Sequence, residues 1–276
     1  MPITHIAVIN NISFRKKAKR LSRIRLGDEA VIETSKYGEA QYIDGVKISF
    51  HPAGHVLGSA QLRVEYKGEI WVVSGDYKLT PDATCAPFEP MQCHNFITEA
   101  TFGLPIYRWT PTEIIFEEIN QWWRRNQERG KVSVIFAYSL GKAQRVMNGI
   151  DRRIGQIFTH GAVERLTQAY RESGVDLPET KYVGAVANKK DFAGSLIVAP
   201  PSAAGSTWLK RFGVHSTGFR FRLDGRARRT AEKSGRPRIC SYLTMPIGKN
   251  CKRQSAQQMP KRFLSRTVLF PNSFAG

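Results

Sequence analysis

The stretch that most constrains the fold runs from His51 to Gly103, because three strand-like segments within it lead to polar turns. Alternating apolar and polar residues predict a half-buried strand in the first segment. An unbroken β-branched and aromatic run predicts a fully buried strand in the second. The three segments are Gln61–Tyr66, Ile70–Val73 and Phe96–Thr98. The second leads to Asp76 and the third stops at Glu99, so we expect both carboxylates at the carboxyl ends of strands.

A candidate metal site follows from the turn that precedes these strands. His55 lies between Gly54 and Gly58, where the backbone bends freely and a ligand can approach closely. A histidine and an aspartate, here His55 and Asp76, at strand-end loops of one sheet are suitable ligands for Zn²⁺ or Mn²⁺. The structural alternatives are a hydrogen-bonded turn histidine and a strand-end cap, and for His51 we expect a structural role.

The remaining patterns predict two short strands before this stretch and alternating helices and strands after it. Asp44-Gly45 predicts a hairpin turn within the second early segment. The early strands are Glu29–Thr34 and Gln41–Phe50. The later helices are Pro111–Arg129, Ser139–Ile150 and 162–173, and the later strands are Val132–Ala137, Gln156–Thr159, Lys181–Val183 and Ser195–Ala199. Such βα alternation predicts a mostly parallel sheet and an α/β fold.

Four motifs carry a resemblance to a known family. In chain order they are HPAGHVLGSA, SGDYK, TEATFG and AYSLGKAQRV. Together they resemble the metallo-β-lactamase-fold nucleases with a β-CASP insertion, and more narrowly the bacterial ligase-associated DNA exonucleases, which are related to mRNA 3′-end processing factors. The resemblance implies an α/β (α+β) protein with an αββα sandwich and a βα insertion. Residues 1–103 would begin the core and 104–202 would form the insertion. The loss of strand and helix periodicity and the dominance of Arg predict instead that 203–276 is an irregular basic tail.

The resemblance also implies roles for individual residues. Asp76 would bridge two divalent metals, Zn²⁺ or Mn²⁺, and His55 would be a terminal ligand. Glu99 would hold a neighbouring histidine that protonates the leaving oxygen, which makes Asp76 and Glu99 the candidate catalytic residues. His5 is a candidate ligand at the position where the family's His-rich loop begins, although an ordinary near-terminal histidine is the alternative. Ala7, Ile9 and Asn10 occupy the positions of the other three loop ligands.

A candidate phosphate-binding turn lies in the fourth motif. Ser139, Gly141 and Lys142 place a hydroxyl, a glycine and an amine at the predicted start of a helix, a suitable seat for phosphate. The alternative is a helix cap with a solvated lysine beside it.

The net charge of +19 suggests nucleic acid as a partner, but it is concentrated at the two ends. Residues 1–25 hold seven Lys and Arg and no acid, and 211–276 hold fifteen against two acids, which leaves 20 basic and 21 acidic residues between them. The family resemblance favours DNA over RNA, with a DNA ligase as a further candidate partner.

Four cysteines without paired spacing and the absence of a signal-peptide core favour a reduced, cytoplasmic protein without membrane attachment.

Beyond Thr217 the family's Gly-Trp-Met strand, Ser-Asp-His-Ala-Asp-Trp motif and late His-Gly are absent from the sequence. We expect weak metal binding and impaired hydrolysis in consequence.

Three functions stay open: a DNA-end exonuclease, an RNA 3′-end processing nuclease, and a non-catalytic relative that binds nucleic acid. Our hypothesis is that a frame shift in the gene accounts for the missing motifs. Codons for Tyr242–Asn250, read from each third base, can spell Ser-Asp-His-Ala-Asp-Trp-Glu-Lys, and codons for Arg222–Gly225, read from each second base, can spell Gly-Trp-Met.

The gene sequence tests this hypothesis directly. Because first and second codon bases are largely fixed by the amino acids, we expect the nucleotides of codons 217–245 to spell both motifs in the shifted frames, with frame changes near Gly218 and Ser241. Codons that spell neither motif would mean that the basic tail is a genuine coding feature.

Overall fold

The computed structural model describes residues 19–99, 110–186 and 188–204, together with the backbone of 219–220. Within these ranges the chain forms two five-stranded sheets and four helices, which confirms the predicted mixed α/β class. The complete αββα arrangement and the predicted irregular tail depend on residues outside the described ranges. His5 also lies outside these ranges.

The first sheet contains five strands in sequence order and carries the candidate metal ligands. Its strands are β1 (Gln41–Ile43), β2 (Val46–Pro52), β3 (Ala60–Tyr66), β4 (Glu69–Val73) and β5 (Asn95–Ile97). Neighbouring strands are antiparallel except β4 and β5, which are parallel. The predicted hairpin turn is confirmed, since Asp44 and Gly45, both with positive φ, connect β1 to β2.

The predicted strand at Glu29–Thr34 is wrong. Only Thr34 forms an isolated bridge, and the segment follows a turn closed by a hydrogen bond from Ala30 to Gly27. Val31 is 81% exposed while Ile32 is buried. Ile32 is therefore a single buried anchor, and among the described residues the segment lacks the strand-long pairing that makes a ladder.

The prediction that β4 is fully buried is also wrong. Val72 is completely buried against Met91 and Phe96, but its neighbours in the strand are partly exposed. Successive side chains in a strand point to opposite faces, so Trp71 and Val73 lie on the face away from this cluster. Apolar composition identified the strand, but it did not reveal that the two faces differ in burial.

The second sheet is parallel throughout, which confirms the predicted βα alternation. Its strands are β6 (Ser133–Phe136), β7 (Ile157–Thr159), β8 (Thr180–Tyr182), β9 (Leu196–Ala199) and β10 (Phe219–Arg220). They are arranged in the order β10-β6-β9-β7-β8. Right-handed crossovers with helices are the usual way to connect such strands.

The four described helices all contribute side chains to the core beside this sheet. They are α1 (Lys19–Leu26), α2 (Thr112–Gln127), α3 (Lys142–Gly149) and α4 (Gly161–Glu172), with short 3-10 turns at Val183–Ala185, Lys189–Phe192 and Pro201–Ala203. Helix α1 was not predicted from the sequence, because basic residues dominate it and its single buried residue is Leu21. Helix α3 begins three residues later than predicted, because Gly141 has φ +81° and cannot continue a right-handed helix. None of the described helices is long and apolar enough to cross a membrane.

The apolar core lies mainly on the two faces of the second sheet. The helices cover one face around Ile135, Trp123 and Tyr170, all completely buried. The other face packs Phe158 against Phe192, with ring centroids 4.7 Å apart. This double coverage explains why β6, β7 and β9 are fully buried, as expected for a parallel sheet.

The loop between β2 and β3 joins the two sheets. The backbone N–H of Leu57 donates a hydrogen bond to the Tyr170 hydroxyl on α4 at 3.1 Å, and burial raises the pKa of that hydroxyl. A Cβ at Gly141 would overlap the Val56 side chain, so the turn before α3 approaches the same loop at its closest possible distance. The loop that carries His55 is therefore held by the second sheet's helices.

Tyr170→Phe tests this junction. Loss of the hydroxyl leaves the Leu57 N–H without its acceptor, so we expect unfolding to require about 1 kcal/mol less free energy. Urea denaturation measures the change, and Tyr182→Phe, on a half-exposed ring, is the matched control. Equal stabilities for the two variants would contradict the role of Tyr170 at the junction.

Candidate functional site

His55 is fixed by its own turn. The backbone N–H groups of His55 and Val56 both donate to the Ser59 hydroxyl oxygen at 3.1 Å. Gly54 has φ +70°, and a Cβ there would overlap the carbonyl oxygen of Lys78. Only glycine combines this backbone conformation with such close contact. The turn therefore presents the His55 imidazole toward the segment that follows β4.

Asp76 approaches His55 from that segment. The N–H of Ser74 donates to the Ile97 carbonyl at 2.9 Å, which holds the chain as it leaves β4. His55 Nε2 lies 3.8 Å from Asp76 Oδ2, and the Asp76 side chain is 66% exposed. This distance is too long for a hydrogen bond. It suits two ligands of one cation, because zinc bonds of about 2.1 Å at near-tetrahedral angles separate donor atoms by roughly 3.4 Å.

The surroundings keep His55 uncharged at neutral pH. Burial lowers the pKa of its imidazole below the ordinary value of 6.5, the Asp76 carboxylate opposes this shift, and Lys78 and Lys142 reinforce it. Neutral imidazole is the form that ligates metals. The pair thus offers one neutral nitrogen and one exposed carboxylate, which fits one divalent cation as two of its protein ligands.

A buried ionic cluster lies beside this pair and joins the two sheets. The Asp82 carboxylate pairs with the Lys78 ammonium and lies 3.6 Å from Arg145 Nε on α3. Thr84 donates two hydrogen bonds to the same carboxylate, from its N–H at 2.9 Å and from its hydroxyl at 2.6 Å. All three charged side chains are at most 9% exposed. One buried anion thereby neutralises part of the charge of two buried cations.

The pKa values of the cluster reflect this balance. Burial opposes ionisation of Asp82, but Lys78 and the Thr84 hydrogen bonds outweigh it and lower the pKa of the carboxyl. Burial lowers the pKa of Lys78, and repulsion from Arg145 adds to the effect. Burial likewise raises the pKa of the nearby Cys85 thiol to about 11, so this cysteine is not a reactive thiolate at neutral pH. One carboxylate beside two cations leaves the cluster with a net positive charge when all three groups are ionised.

The predicted phosphate seat at the start of α3 differs from its expected geometry. The N–H of Gly141 donates to Gln144 Oε1 at 2.8 Å, and the N–H groups of Lys142 and Ala143 donate to nearby carbonyls. Because these backbone donors are engaged within the chain, a phosphate contact would come from the side chain of Lys142. Ser139 lies in the turn that precedes the helix. Both residues stay predictions as phosphate ligands.

Lys142 is not the solvated lysine of the alternative interpretation. It is half-buried, and its Nζ lies 4.5 Å from the centroid of the Tyr138 ring. Burial, together with the charge of Arg145, lowers the pKa of its ammonium to about 7. An ammonium this poorly solvated gains much from an approaching anion, because the anion replaces the water that burial removed.

Glu99 follows β5, and β5 is parallel to β4, so Glu99 and Asp76 emerge at the same edge of the first sheet. Nevertheless, within the described ranges no three His, Cys, Asp or Glu side chains come together in a way that could hold a metal ion. Glu99 therefore does not complete a cluster with His55 and Asp76. The predicted ligand His5 lies outside the described residues, so its role stays a prediction.

Three other described histidines have structural partners. His94 Nδ1 accepts the N–H of Ile70 at 3.0 Å. His51 contacts the Ser49 hydroxyl at 3.0 Å and the Glu89 carboxylate at 2.8 Å. His160 accepts the N–H of Ala162 at 3.1 Å and caps α4. The contacts of His51 agree with the structural role expected for it from the sequence.

Sequence reasoning missed the partnership of Asp82 and Arg145. Lys78 and Arg145 belong to two of the recognised motifs, but Asp82 lies in the linker that follows SGDYK. The sequence shows only that Lys78 and Asp82 are four residues apart. Nothing in this local pattern indicates that both are buried against the distant Arg145.

Comparison with known proteins confirms the resemblance to metallo-β-lactamase-fold nucleases with a β-CASP insertion. No family model matches the chain. The chain instead resembles individual curated proteins, and its sequence identity to them is modest. Each alignment covers only part of the related protein.

Three of these relatives illustrate the range. A probable DNA ligase from Opitutus terrae is 26% identical over 216 residues, which cover 77% of this chain and 21% of the ligase. An RNase J-like protein from Methanocaldococcus jannaschii is 28% identical over 49% of this chain and 34% of the relative. Endoribonuclease YSH1 from Saccharomyces cerevisiae is 30% identical over 44% of this chain and 15% of the relative. The chain thus spans about a third of the RNase J-like protein and less of the other two.

Asp82→Asn tests the ionic cluster. The substitution leaves Lys78 and Arg145 buried without their carboxylate, so we expect a loss of about 3 to 5 kcal/mol in the free energy of unfolding. Denaturant unfolding measures this loss. Asp176→Asn, which breaks an exposed pair with Arg152, should have little effect.

The same variant should also change the acid response. The pKa of Asp82 is lowered in the folded protein, so its stabilising contribution is present above the unfolded carboxyl pKa of about 3.9 and is lost as pH falls through the folded value. Stability should therefore fall less steeply below about pH 4 in Asp82→Asn than in the natural chain. Parallel pH profiles would contradict the ionised state of Asp82.

Proposed function

We propose that the chain is a metal-dependent phosphodiesterase that acts on nucleic acid, with DNA ends as its substrate. The observation that carries this proposal is the approach of a neutral His55 to the Asp76 carboxylate beside the cationic groups of Lys78, Lys142 and Arg145. A cation ligand pair next to a positive field is the arrangement that phosphodiester hydrolysis needs, since the substrate is an anion and its transition state carries more negative charge.

The preference for DNA rests on the extent of similarity. The alignment with a protein named as a DNA ligase covers 77% of this chain, whereas the alignment with endoribonuclease YSH1 covers 44%. Association with a DNA ligase is part of the same proposal. RNA 3′-end processing is the second candidate, favoured by the endoribonuclease relatives and by the cleavage and polyadenylation specificity factor from Drosophila melanogaster.

The site residues have different roles in the proposed hydrolysis. His55 and Asp76, at the tips of two adjacent loops, would hold a divalent cation, Zn²⁺ or Mn²⁺. When bound, this cation would supply Lewis-acid activation of the phosphate and a nucleophilic water of lowered pKa. Lys142 attracts the substrate phosphate, and the cluster around Asp82 keeps the Asp76 segment against the second sheet. Glu99 lies at the same sheet edge, and the role that the resemblance gives it, to orient a histidine near the leaving group, stays a prediction.

The proposed activity is slow. His55 and Asp76 supply two protein ligands, and structural zinc sites use four while catalytic zinc sites use three. The described part of the chain supplies no cluster of three. The same observation favours the third candidate, a non-catalytic relative that binds nucleic acid.

Metal content and hydrolysis test the proposal together. After dialysis against equal low concentrations of Zn²⁺ and Mn²⁺, we expect bound metal in the natural chain and at least about tenfold less in His55→Ala and Asp76→Asn, with a matching loss of hydrolysis. His51→Asn, which removes a histidine outside the pair, is the control. End-labelled DNA and RNA strands of identical sequence separate the two substrate candidates.

The outcomes are distinct. Faster cleavage of DNA that is abolished by chelation supports the main proposal, and faster cleavage of RNA supports the second candidate. Metal binding that is unchanged in both variants would contradict the assigned ligands. Nucleic-acid binding without metal or hydrolysis would support the non-catalytic candidate.

A further inference from the structure

Tyr138 occupies a position where the fold commonly binds ligands. It lies two residues beyond the end of β6, a strand whose four residues are completely or almost completely buried. Its own side chain is nevertheless 48% exposed. Ligands of open α/β sheets bind outside the carboxyl ends of the strands, and Tyr138 lies at such an end. Its aromatic ring is thus presented to solvent by a rigid element.

The ring is held in place by Lys142. The Lys142 ammonium lies 4.5 Å from the ring centroid, a cation–π contact that fixes the ring and the amine relative to each other. The Tyr138 carbonyl also accepts the N–H of Ala143 at 3.0 Å, which anchors the residue to α3. An aromatic ring and an amine therefore form one preorganised unit.

This unit adjoins the His55 loop. The turn between Tyr138 and α3 reaches Val56 at Gly141, and Val56 is the residue next to His55. The charge of Lys142 also acts on the His55 imidazole. A phosphate placed between Lys142 and the His55–Asp76 pair would have its adjoining nucleoside near the Tyr138 ring.

We propose that Tyr138 is a stacking platform for the nucleobase that adjoins the phosphate bound by Lys142, in a single-stranded end of nucleic acid. This inference rests on the proposed function, since it names a contact for the same substrate. Aromatic side chains beside basic groups are the usual means of binding single strands, and stacking tolerates every base because each has a π face. Tyr138 therefore contributes affinity without sequence preference.

The chain offers a closely matched control. Tyr66 is also 48% exposed, and the Lys67 ammonium lies 5.2 Å from its ring centroid. It lies at the β3–β4 turn, at the opposite end of β4 from Asp76. A general effect of removing an exposed tyrosine would appear in both variants, whereas a specific contact with the substrate would appear only at Tyr138.

Binding is measured by fluorescence anisotropy with short single-stranded DNA and RNA at low ionic strength and with a chelator, so hydrolysis plays no part. We expect Tyr138→Ala to weaken binding about tenfold, Tyr138→Phe to retain it, and Tyr66→Ala to leave it unchanged. With a strand of abasic nucleotides, the natural chain and Tyr138→Ala should bind equally. Thermal melting of each variant verifies that it is folded.

Unchanged affinity in Tyr138→Ala, or an equal loss with normal and abasic strands, would overturn the stacking role while the proposed function stands. A natural chain that binds no oligonucleotide would contradict both proposals. The affinities for the DNA strand and the RNA strand, compared with each other, show whether Tyr138 contributes to binding of DNA or of RNA.

Discussion

The buried carboxylate of Asp82 is the interaction on which the arrangement of the site depends. It lies between an ammonium from the segment after β4 and a guanidinium from α3, so it connects the two sheets through charge. Removing one partner of a buried ionic group leaves the others unpaired, which is far more costly than breaking a surface pair. The segment carrying Asp76 is thereby attached to the second sheet, as the His55 loop is through Tyr170.

This attachment has a chemical consequence. The two donors approach each other where the His55 loop is fixed to α4 through Tyr170 and the segment after β4 is fixed to α3 through Asp82. The same packing buries the nearby cations, and burial is what lowers the pKa of both His55 and Lys142. Structural cohesion and a neutral, metal-compatible imidazole are thus two results of one contact between sheets.

Sequence reasoning predicted the parts of this architecture that depend on local patterns. The β1–β2 hairpin, the buried strands β6 and β9, and α2 follow from turn residues and apolar periodicity, and the motifs identified His55 and Asp76 as neighbours. It failed where tertiary packing decides. Helix α1 lacks a strong apolar stripe, the exposed face of β4 depends on what covers it, and the Asp82–Arg145 contact joins distant parts of the chain.

The most direct test of the central claim, that His55 and Asp76 share one cation, is the broadening of histidine side-chain NMR signals by Mn²⁺. Paramagnetic broadening falls off steeply with distance, so the account predicts that His55 broadens at lower Mn²⁺ than His51, His94 and His160, and that Asp76→Asn removes this selectivity. Equal broadening of these four histidines, or a His55 signal unaffected by Mn²⁺, would contradict it.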